Sequence, residues 1–275
     1  MRILFIADIF AKPGRELVRR VLPALVHERE IDFVIANAEN SAAGFGVTGD
    51  IADVLLSYGI DAMTSGNHIW DKKEILEYIP RQPKLLRPAN FPAGTPGRGT
   101  FLGRTRTGQP IGVLNLMGRV FMTPLDDPFA AALREIEALR AKTRVIIVDF
   151  HAEATSEKVA MGWHLDGRVT AVLGTHTHVQ TADERVLPKG TAYLTDVGMT
   201  GPHESIIGVT TETALGRFLT SMPAKFEAAT GAARLNAVII TADPATGKAI
   251  AIERLNMSAD EADALASKTL AGMRR

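Results

Sequence analysis

The sequence predicts an α/β protein built around a mainly parallel sheet, and three observations predict it. Short apolar runs recur along the 275 residues, several of them apolar on both faces, as buried strands of such a sheet require. Stretches with amphipathic helical spacing separate them. Five of the runs are followed closely by a ligand-type polar side chain, and in open α/β sheets ligands bind at the carboxyl ends of the strands.

Taken in order, Arg2-Ile3-Leu4-Phe5-Ile6-Ala7 reads as a buried strand, and Asp8 follows at once. Residues 14–28 have helical spacing at Leu17, Val18, Val21, Leu22 and Leu25. Phe33-Val34-Ile35-Ala36 is the next strand and precedes Glu39. Residues 48–58 read as a helix, the weaker run Ile60-Asp61-Ala62-Met63 precedes Asn67, and residues 71–79 read as a helix again. Arg87-Pro88-Ala89-Asn90-Phe91-Pro92, with Gly94, Pro96, Gly97 and Gly99 after it, has the composition of a long connector with stiffened turns. Arg87 or Asn90 in a cleft would be placed to meet phosphate or base, but the structural reading is the stronger one.

Strands return at Thr100-Phe101-Leu102-Gly103 and Ile111-Gly112-Val113-Leu114-Asn115-Leu116. Residues 128–141 form an amphipathic helix with Ala130, Leu133, Ile136 and Leu139 in register. Arg144-Val145-Ile146-Ile147-Val148 precedes His151, and Val169-Thr170-Ala171-Val172-Leu173 precedes His176 and His178. Between them Glu153-Ala154-Thr155-Ser156-Glu157-Lys158 looks like a helix start with carboxylates in its first turn. On even terms, Glu153 would instead orient a metal-bound imidazole. Thr191-Ala192-Tyr193-Leu194-Thr195 and Leu235-Asn236-Ala237-Val238-Ile239-Ile240 read as strands, and a turn at Asp243-Pro244-Ala245-Thr246-Gly247 joins the latter to Ala249-Ile250-Ala251-Ile252 as a hairpin. Residues 258–275 form a charged helix with few apolar anchors, a surface suited to a partner subunit.

The polar residues at the strand ends fit a pair of metal ions. Two cations about 3.5–4 Å apart clamp a phosphoryl group and acidify a water between them. They need a shared anion, and Glu39 is the natural bridge. Asp8 and His178 then fall to one ion, and Asn67, His151 and His176 to the other. Mixed imidazole and oxygen ligands suit iron, manganese or zinc better than calcium. The chain has no cysteine, which excludes thiolate sites and iron–sulfur clusters.

Singly, these residues have ordinary explanations. An aspartate after a first strand is often a cap or turn residue, Gly66-Asn67-His68 suits a turn in which Asn tolerates positive φ, and His151 alone suits a hydrogen-bonded core. Their joint placement at strand ends outweighs these readings. His27 reads as a helix-surface residue, His164 as packing or capping, and His203 as a loop residue. Gly44-Phe45-Gly46-Val47-Thr48-Gly49 resembles a phosphate-cradling loop only superficially, because it lacks the Lys-Ser/Thr ending.

The spread of Asp8, Glu39, Gly66-Asn67-His68, His151 and Gly174-Thr175-His176-Thr177-His178 resembles the calcineurin-like metallophosphoesterases. Asn37-Ala38-Glu39-Asn40, Gly66-Asn67-His68-Ile69-Trp70-Asp71, the run from Asp149 to Lys158, the run from Gly174 to Asp183, and Asp196-Val197-Gly198-Met199-Thr200-Gly201 are similar to the bacterial branch called the YmdB-like phosphodiesterases. The resemblance covers residues 1 to about 257. It implies a four-layer α/β/β/α sandwich of two mixed sheets flanked by helices, in a dinuclear metal hydrolase that opens 2′,3′-cyclic nucleotides at the 2′ oxygen and leaves a 3′-phosphate. Carried over by position, it places Asp8, Glu39, Asn40 and His178 on one ion and Glu39, Asn67, His151 and His176 on the other. A metal-bridging hydroxide attacks phosphorus, and His68, with Asp71 as a candidate partner, protonates the leaving oxygen. The wider superfamily opens with Asp-x-His; here the third place is Phe10, so one imidazole is missing, and Asn40 is expected to replace it through its side-chain carbonyl. Two divalent or mixed-valence ions are implied, iron first, with manganese, zinc or magnesium as alternatives. Alternative functions are a general phosphomonoesterase or nuclease, and a regulatory RNA-associated metalloprotein with slow catalysis.

Composition bounds the rest. Lys and Arg total 31 and Asp and Glu total 31, so no basic field points to long nucleic acid, and a small cyclic nucleotide fits better. No signal peptide or membrane-spanning run is legible, which leads to the expectation of a cytoplasmic enzyme. Ligands spread from Asp8 to His178 converge only within one domain. The expectation is a single domain over residues 1–275, with 258–275 as its C-terminal helix, in a homo-oligomer.

Overall fold

In the computed structural model, which describes residues 1–273, the chain folds into two mixed sheets with helices on their outer faces. The first half runs β1 (Arg2–Ile6), β2 (Asp8–Ile9), α1 (Ala11–Glu28), β3 (Phe33–Asn37), α2 (Gly49–Ser57), β4 (Ala62–Thr64), α3 (Ile75–Tyr78), β5 (Thr100–Arg104) and β6 (Pro110–Met117). The second half runs α4 (Pro128–Arg140), β7 (Ile146–His151), α5 (Thr155–Leu165), β8 (Ala171–Thr175), β9 (Arg185–Val186), β10 (Ala192–Leu194), β11 (Met199–Pro202), α6 (Thr211–Thr220), β12 (Ala233–Ala242), β13 (Ala249–Ser258) and α7 (Ala259–Met273).

The first sheet has the order β2-β11-β12-β1-β3-β4, with β13 also on β12; the second has the order β5-β6-β7-β8-β10-β9. In the first sheet β1-β3-β4 run parallel, β2 pairs parallel with β11, and β12 joins the two parts antiparallel to β1, β11 and β13; in the second, β6-β7-β8-β10 run parallel and the edge strands β5 and β9 pair antiparallel.

Period-two alternation explains the layers. Ile3 and Phe5 of β1, Phe33 and Ile35 of β3, and Ala62 of β4 meet Ile111, Val113, Ile147, Ala171 and Leu173 between the sheets. The intervening Leu4, Ile6, Val34 and Ala36 face outward, against Leu17, Val18, Val21, Leu22 and Leu25 of α1. On the second sheet, Leu114, Ile146, Val148 and Phe150 face outward, against α4 and α5. The result is helices, sheet, sheet, helices, the four-layer arrangement.

Local chemistry sets the helix starts. The Thr48 hydroxyl accepts the Ile51 N–H at 3.2 Å to begin α2, and the Asp127 carboxylate accepts Phe129 N–H at 2.8 Å to begin α4, with Pro128 in its first turn. The helix expected over residues 71–79 shortens to the four residues of α3. Asp71 turns its carboxylate toward His68 rather than capping a helix. The hairpin strands β12 and β13 are each 10 residues long and exceed the runs read from sequence; in β13 the exposed polar residues Glu253 and Asn256 lie beyond the apolar run. α7 lies on α1 of the same chain, with Ala262 buried, Arg20 paired to Asp263 at 3.1 Å and the Thr269 hydroxyl donating to Glu28 at 3.0 Å. Residues 274 and 275 of the expected terminal helix lie outside the described residues.

Candidate metal centre

Alternation that fills the inter-sheet core with apolar side chains turns polar at the strand ends. After Phe33 and Ile35 the same side of β3 carries Asn37; after Ala62 comes Thr64; after Ile147 come Asp149 and His151; after Leu173 comes Thr175. All five polar residues are fully buried. They form one network, in which Asp149 accepts hydrogen bonds from Asn37 Nδ2 at 3.2 Å, Thr64 Oγ1 at 2.5 Å and Thr175 Oγ1 at 2.7 Å. Burial pushes the Asp149 carboxyl up to about 8, against the pull of Thr64 and Thr175.

This network fixes the His151 tautomer. The Thr175 hydroxyl gives its hydrogen to Asp149, so it accepts from His151 Nδ1, 2.9 Å away. His151 Nε2 then carries its lone pair outward, toward Asn67 Oδ1 at 2.8 Å and Glu39 Oε1 at 2.9 Å. Burial drops the His151 imidazole to about 3, so the ring is neutral. His176 is lowered to about 3 as well, by burial and then by His151, whose ring centroid lies 4.7 Å away. Ligand atoms of Glu39, His151 and His176 all fall within 4.8 Å of one another.

A second convergence lies beside the first. His178 Nδ1 donates to the Ile207 carbonyl at 2.9 Å, which turns Nε2 toward Asp8 Oδ2 at 3.2 Å and the Asn40 amide at 3.2 Å. Burial alone would lower His178, but Asp8 outweighs it and raises the imidazole to about 9. Among the described residues, both Asp8 carboxylate oxygens and Glu39 Oε1 are buried without a hydrogen-bond partner of good geometry. Burial pushes the Glu39 carboxyl up, and its other oxygen accepts the His68 N–H at 3.1 Å.

At His151 an imidazole lone pair faces Asn67 Oδ1 and Glu39 Oε1, and buried carboxylate oxygens without donors are costly. A cation is what makes such a set favourable, so the residues fit the metal pair that their types suggest. The structure therefore brings together Asp8, Asn40 and His178 in one group and Glu39, Asn67, His151 and His176 in another. His68 stands at the rim, its Nδ1 2.8 Å from Asp71 Oδ2. Phe10 sits edge-on to His178 at 5.8 Å and fills with carbon the place where a further imidazole was looked for. Gly66 is required by close approach, because a Cβ there would lie 2.0 Å from His151 Cδ2.

Other residues singled out in the sequence take simpler places. Glu153 precedes α5 and reaches His176 Nε2 at 3.1 Å, while Glu157 accepts the backbone N–H groups of Arg119 and Val120. Asn90 is buried and bound to Met117 and Asp126 backbone, and Arg87 holds the carbonyls of Pro88, Thr95 and Pro96, so both brace the connector. His27 is exposed on α1, His164 packs edge-on to Phe129, and His203 bonds the Met199 carbonyl.

Sequence reasoning missed two partners of the site. Lys158 Nζ and Asp196 Oδ2 form a buried ion pair at 2.6 Å, and Asp196 Oδ2 also accepts the N–H (3.1 Å) and hydroxyl (2.6 Å) of Thr177. Thr177 lies between His176 and His178, both with positive φ (102° and 64°), so this pair anchors a strained loop. A wall from residues 206–226, with Phe45 opposite, encloses the outer cavity. Period two would have pointed to Asp149 as an acid set inside an apolar strand.

Comparison with known proteins agrees with this geometry. A family model described as "YmdB-like protein" matches residues 4–255. The 2′,3′-cyclic-nucleotide 2′-phosphodiesterase of Bacillus subtilis (strain 168) is 52% identical over 260 residues, covering 94% of this chain and 98% of the relative. Two crystal structures superpose with TM-score 0.88. One is of a hypothetical protein from Thermus thermophilus, 45% identical, covering 94% of this chain and 99% of that one. The other is of a phosphatase from Mycoplasma pneumoniae, 35% identical, covering 94% and 93%.

Proposed function

This chain belongs to the YmdB-like family, and from that membership and the geometry above we propose that it is a dinuclear metal-dependent phosphodiesterase that hydrolyses 2′,3′-cyclic nucleotides to 3′-nucleotides. The observation that carries the proposal is the set of fully buried carboxylate oxygens without a donor, both of Asp8 and Oε1 of Glu39, beside imidazole nitrogens. Under this reading Asp8, Glu39, Asn40 and His178 hold one ion, and Glu39, Asn67, His151 and His176 the other. Iron, manganese and zinc suit this mixture of imidazole and oxygen donors. When bound, such a pair supplies Lewis-acid polarisation of the phosphoryl oxygens and a water of lowered pKa.

The chain's own residues do the rest. Asp149, through Thr175, and Ile207, through its carbonyl, fix which nitrogen His151 and His178 present. Asp71 accepts the His68 Nδ1 proton, so Nε2 delivers a proton to the departing 2′ oxygen, which would otherwise leave as an alkoxide. General acid help of this kind is worth about 10²–10⁴ in rate. A purely structural site has no use for an acid at its rim, which favours the enzyme over a binding protein.

The balanced charge of the chain supports a small nucleotide rather than a long nucleic acid as substrate. Among the described residues no helix is long and apolar enough to cross a membrane. A cytoplasmic setting, a single domain over residues 1–275 and self-association belong to the same proposal. The test is turnover of 2′,3′-cyclic AMP by metal-loaded protein, wild type against His68→Ala. A loss of about 10² or more supports the acid role, and equal rates refute it. No turnover in either refutes the enzyme.

A further inference from the structure

The cavity outside the metal centre has about 580 Å³ of space, within the range of about 300–1,000 Å³ common for small-molecule sites. His68, His176 and His178 form its inner end. Its outer end is aromatic. Phe45, held between Gly44 and Gly46 in left-handed conformations (φ 92° and 80°), stacks on Phe226 with ring centroids 6.3 Å apart and planes 18° apart. Arg217 lies over the Phe226 ring at 5.0 Å, and Phe218 lines the same cavity while 77% exposed. Neither the metal chemistry nor the His68 proton uses any of these side chains.

We propose that the aromatic end of this cavity, built on Phe45 and Phe226, is the nucleobase subsite, holding the base by stacking rather than by reading its hydrogen-bonding edge. The inference rests on the cyclic-nucleotide reading above and deepens it. In a 2′,3′-cyclic nucleotide the base hangs from C1′, the carbon bonded to C2′, so it must lie beside the oxygen that His68 serves. The ring nearest to His68 on the cavity side is Phe45, edge-on at 5.1 Å. Beyond the three histidines and Asn40, only Arg217 and Ser221 bring polar side chains to the lining. That inventory is too sparse to distinguish four bases by their edges, and both rings and guanidinium favour any flat π-face. All four bases therefore bind, with only modest preference among them.

The experiment measures equilibrium binding of 3′-AMP, 3′-CMP and a base-free ribose phosphate to the metal-loaded protein, by calorimetry, beside turnover of 2′,3′-cyclic AMP. Wild type is expected to prefer 3′-AMP to the base-free ligand by about 10-fold or more. Phe226→Leu, which keeps apolar bulk and loses the ring, should cut that ratio about fivefold or more, and Phe226→Tyr should hold it. A wild-type ratio near one overturns the subsite, as does an unchanged ratio in a Phe226→Leu protein whose circular dichroism matches wild type. Selectivity for one base above about 100-fold overturns recognition by stacking. The two readings fail separately: turnover with a ratio near one sinks the subsite alone, and a preserved ratio without turnover sinks the phosphodiesterase alone.

Discussion

Replacing Lys158 by methionine tests whether the Lys158–Asp196 pair holds the metal-binding loop. Methionine keeps the length and apolar stem of the side chain and removes only the ammonium. Both partners are buried, at 2% and 0% exposure, and 2.6 Å apart. Breaking such a pair from one side typically costs about 3–5 kcal/mol, because the remaining charge is left buried without its counter-ion. Asp196 keeps hydrogen bonds from the Thr177 N–H, the Thr177 hydroxyl and the Gly198 N–H, so the expected loss sits at the lower end, about 3 kcal/mol. Lys12 and Glu16 form the contrast, 75% and 53% exposed, where Lys12→Met should cost under about 0.5 kcal/mol.

The same substitution removes the ammonium that fixes the Asp196 carboxylate, and the displacement passes through the retained Thr177 bonds to the left-handed conformations of His176 and His178. Loss of an outer partner of this kind lowers metal affinity by about 10–100-fold. Urea unfolding at pH of about 7.5 and a calorimetric manganese titration read the two effects. If Lys158→Met loses less than about 1 kcal/mol and binds manganese as wild type does, the loop does not depend on the pair and the reasoning fails.

Three further outcomes follow from the structure. Gly66→Ala puts a methyl where His151 stands, 2.0 Å from Cδ2, so metal content by elemental analysis should fall well below one ion per chain; full occupancy would contradict the geometry. Asp8→Asn should lower stability in the presence of chelator, because it takes from the buried His178 imidazole the carboxylate that raises it, and abolish most of the thermal shift that metal produces in wild type; saturation at about 100 times Kd should stabilise wild type by about 2.7 kcal/mol, or roughly 5–10 °C. Burial raises the Asp183 carboxyl, but hydrogen bonds from the hydroxyls of Thr181 (2.6 Å) and Thr195 (2.5 Å) outweigh it and hold the group below its ordinary value. Its contribution is therefore fully present above the unfolded value, about 4, and lost as pH falls through the folded one. Asp183→Asn should be less stable than wild type at pH of about 7, and the gap should close in urea unfolding below pH of about 4.

How much of this is legible in the chain depends on the range of the signal. Asp8, Glu39, His151, His176 and His178 stand out because each ends or closely follows an apolar run, and carboxyl ends of parallel strands share a side of their sheet, Asp8 and Glu39 in the first sheet and the histidines in the second. The helix α1 is legible from five apolar residues at helical spacing. Lys158 and Asp196 are not legible as a pair. They are 38 residues apart, and only the packing of α5 on β8 buries a lysine that looks like a solvent-facing helix residue. The extent of β13 is hidden for the opposite reason: an edge strand with exposed side chains reads as a polar loop after Ile252. Ala214, Leu215, Phe218 and Leu219 fall at the helical spacing that α6 takes, but nothing in the sequence says that Phe226, beyond that helix, comes to lie on Phe45.

The two ends of the cavity are built on different principles, and that division follows from what each must do. The end proposed to bind metal draws its side chains from strand termini and braces them with buried partners: Asp149 and Thr175 behind His151, and Lys158 and Asp196 behind the His176–His178 loop. Charge that must be placed to within a fraction of an ångström needs such rigid support. The outer wall comes instead from α6 and the segment after it, where Leu215, Phe218, Leu219 and Met222 are 44% to 82% exposed and few buried contacts hold the chain. Stacking tolerates small displacements, so a wall of this kind can accept different bases without disturbing the reacting end. Substitutions there should change how tightly the base is held and leave the metal stoichiometry at its wild-type value, whereas substitutions at Asp149 or Asp196 should lower metal content first; a Phe226→Leu protein that loses its metals would show that the two ends are one cooperative unit after all.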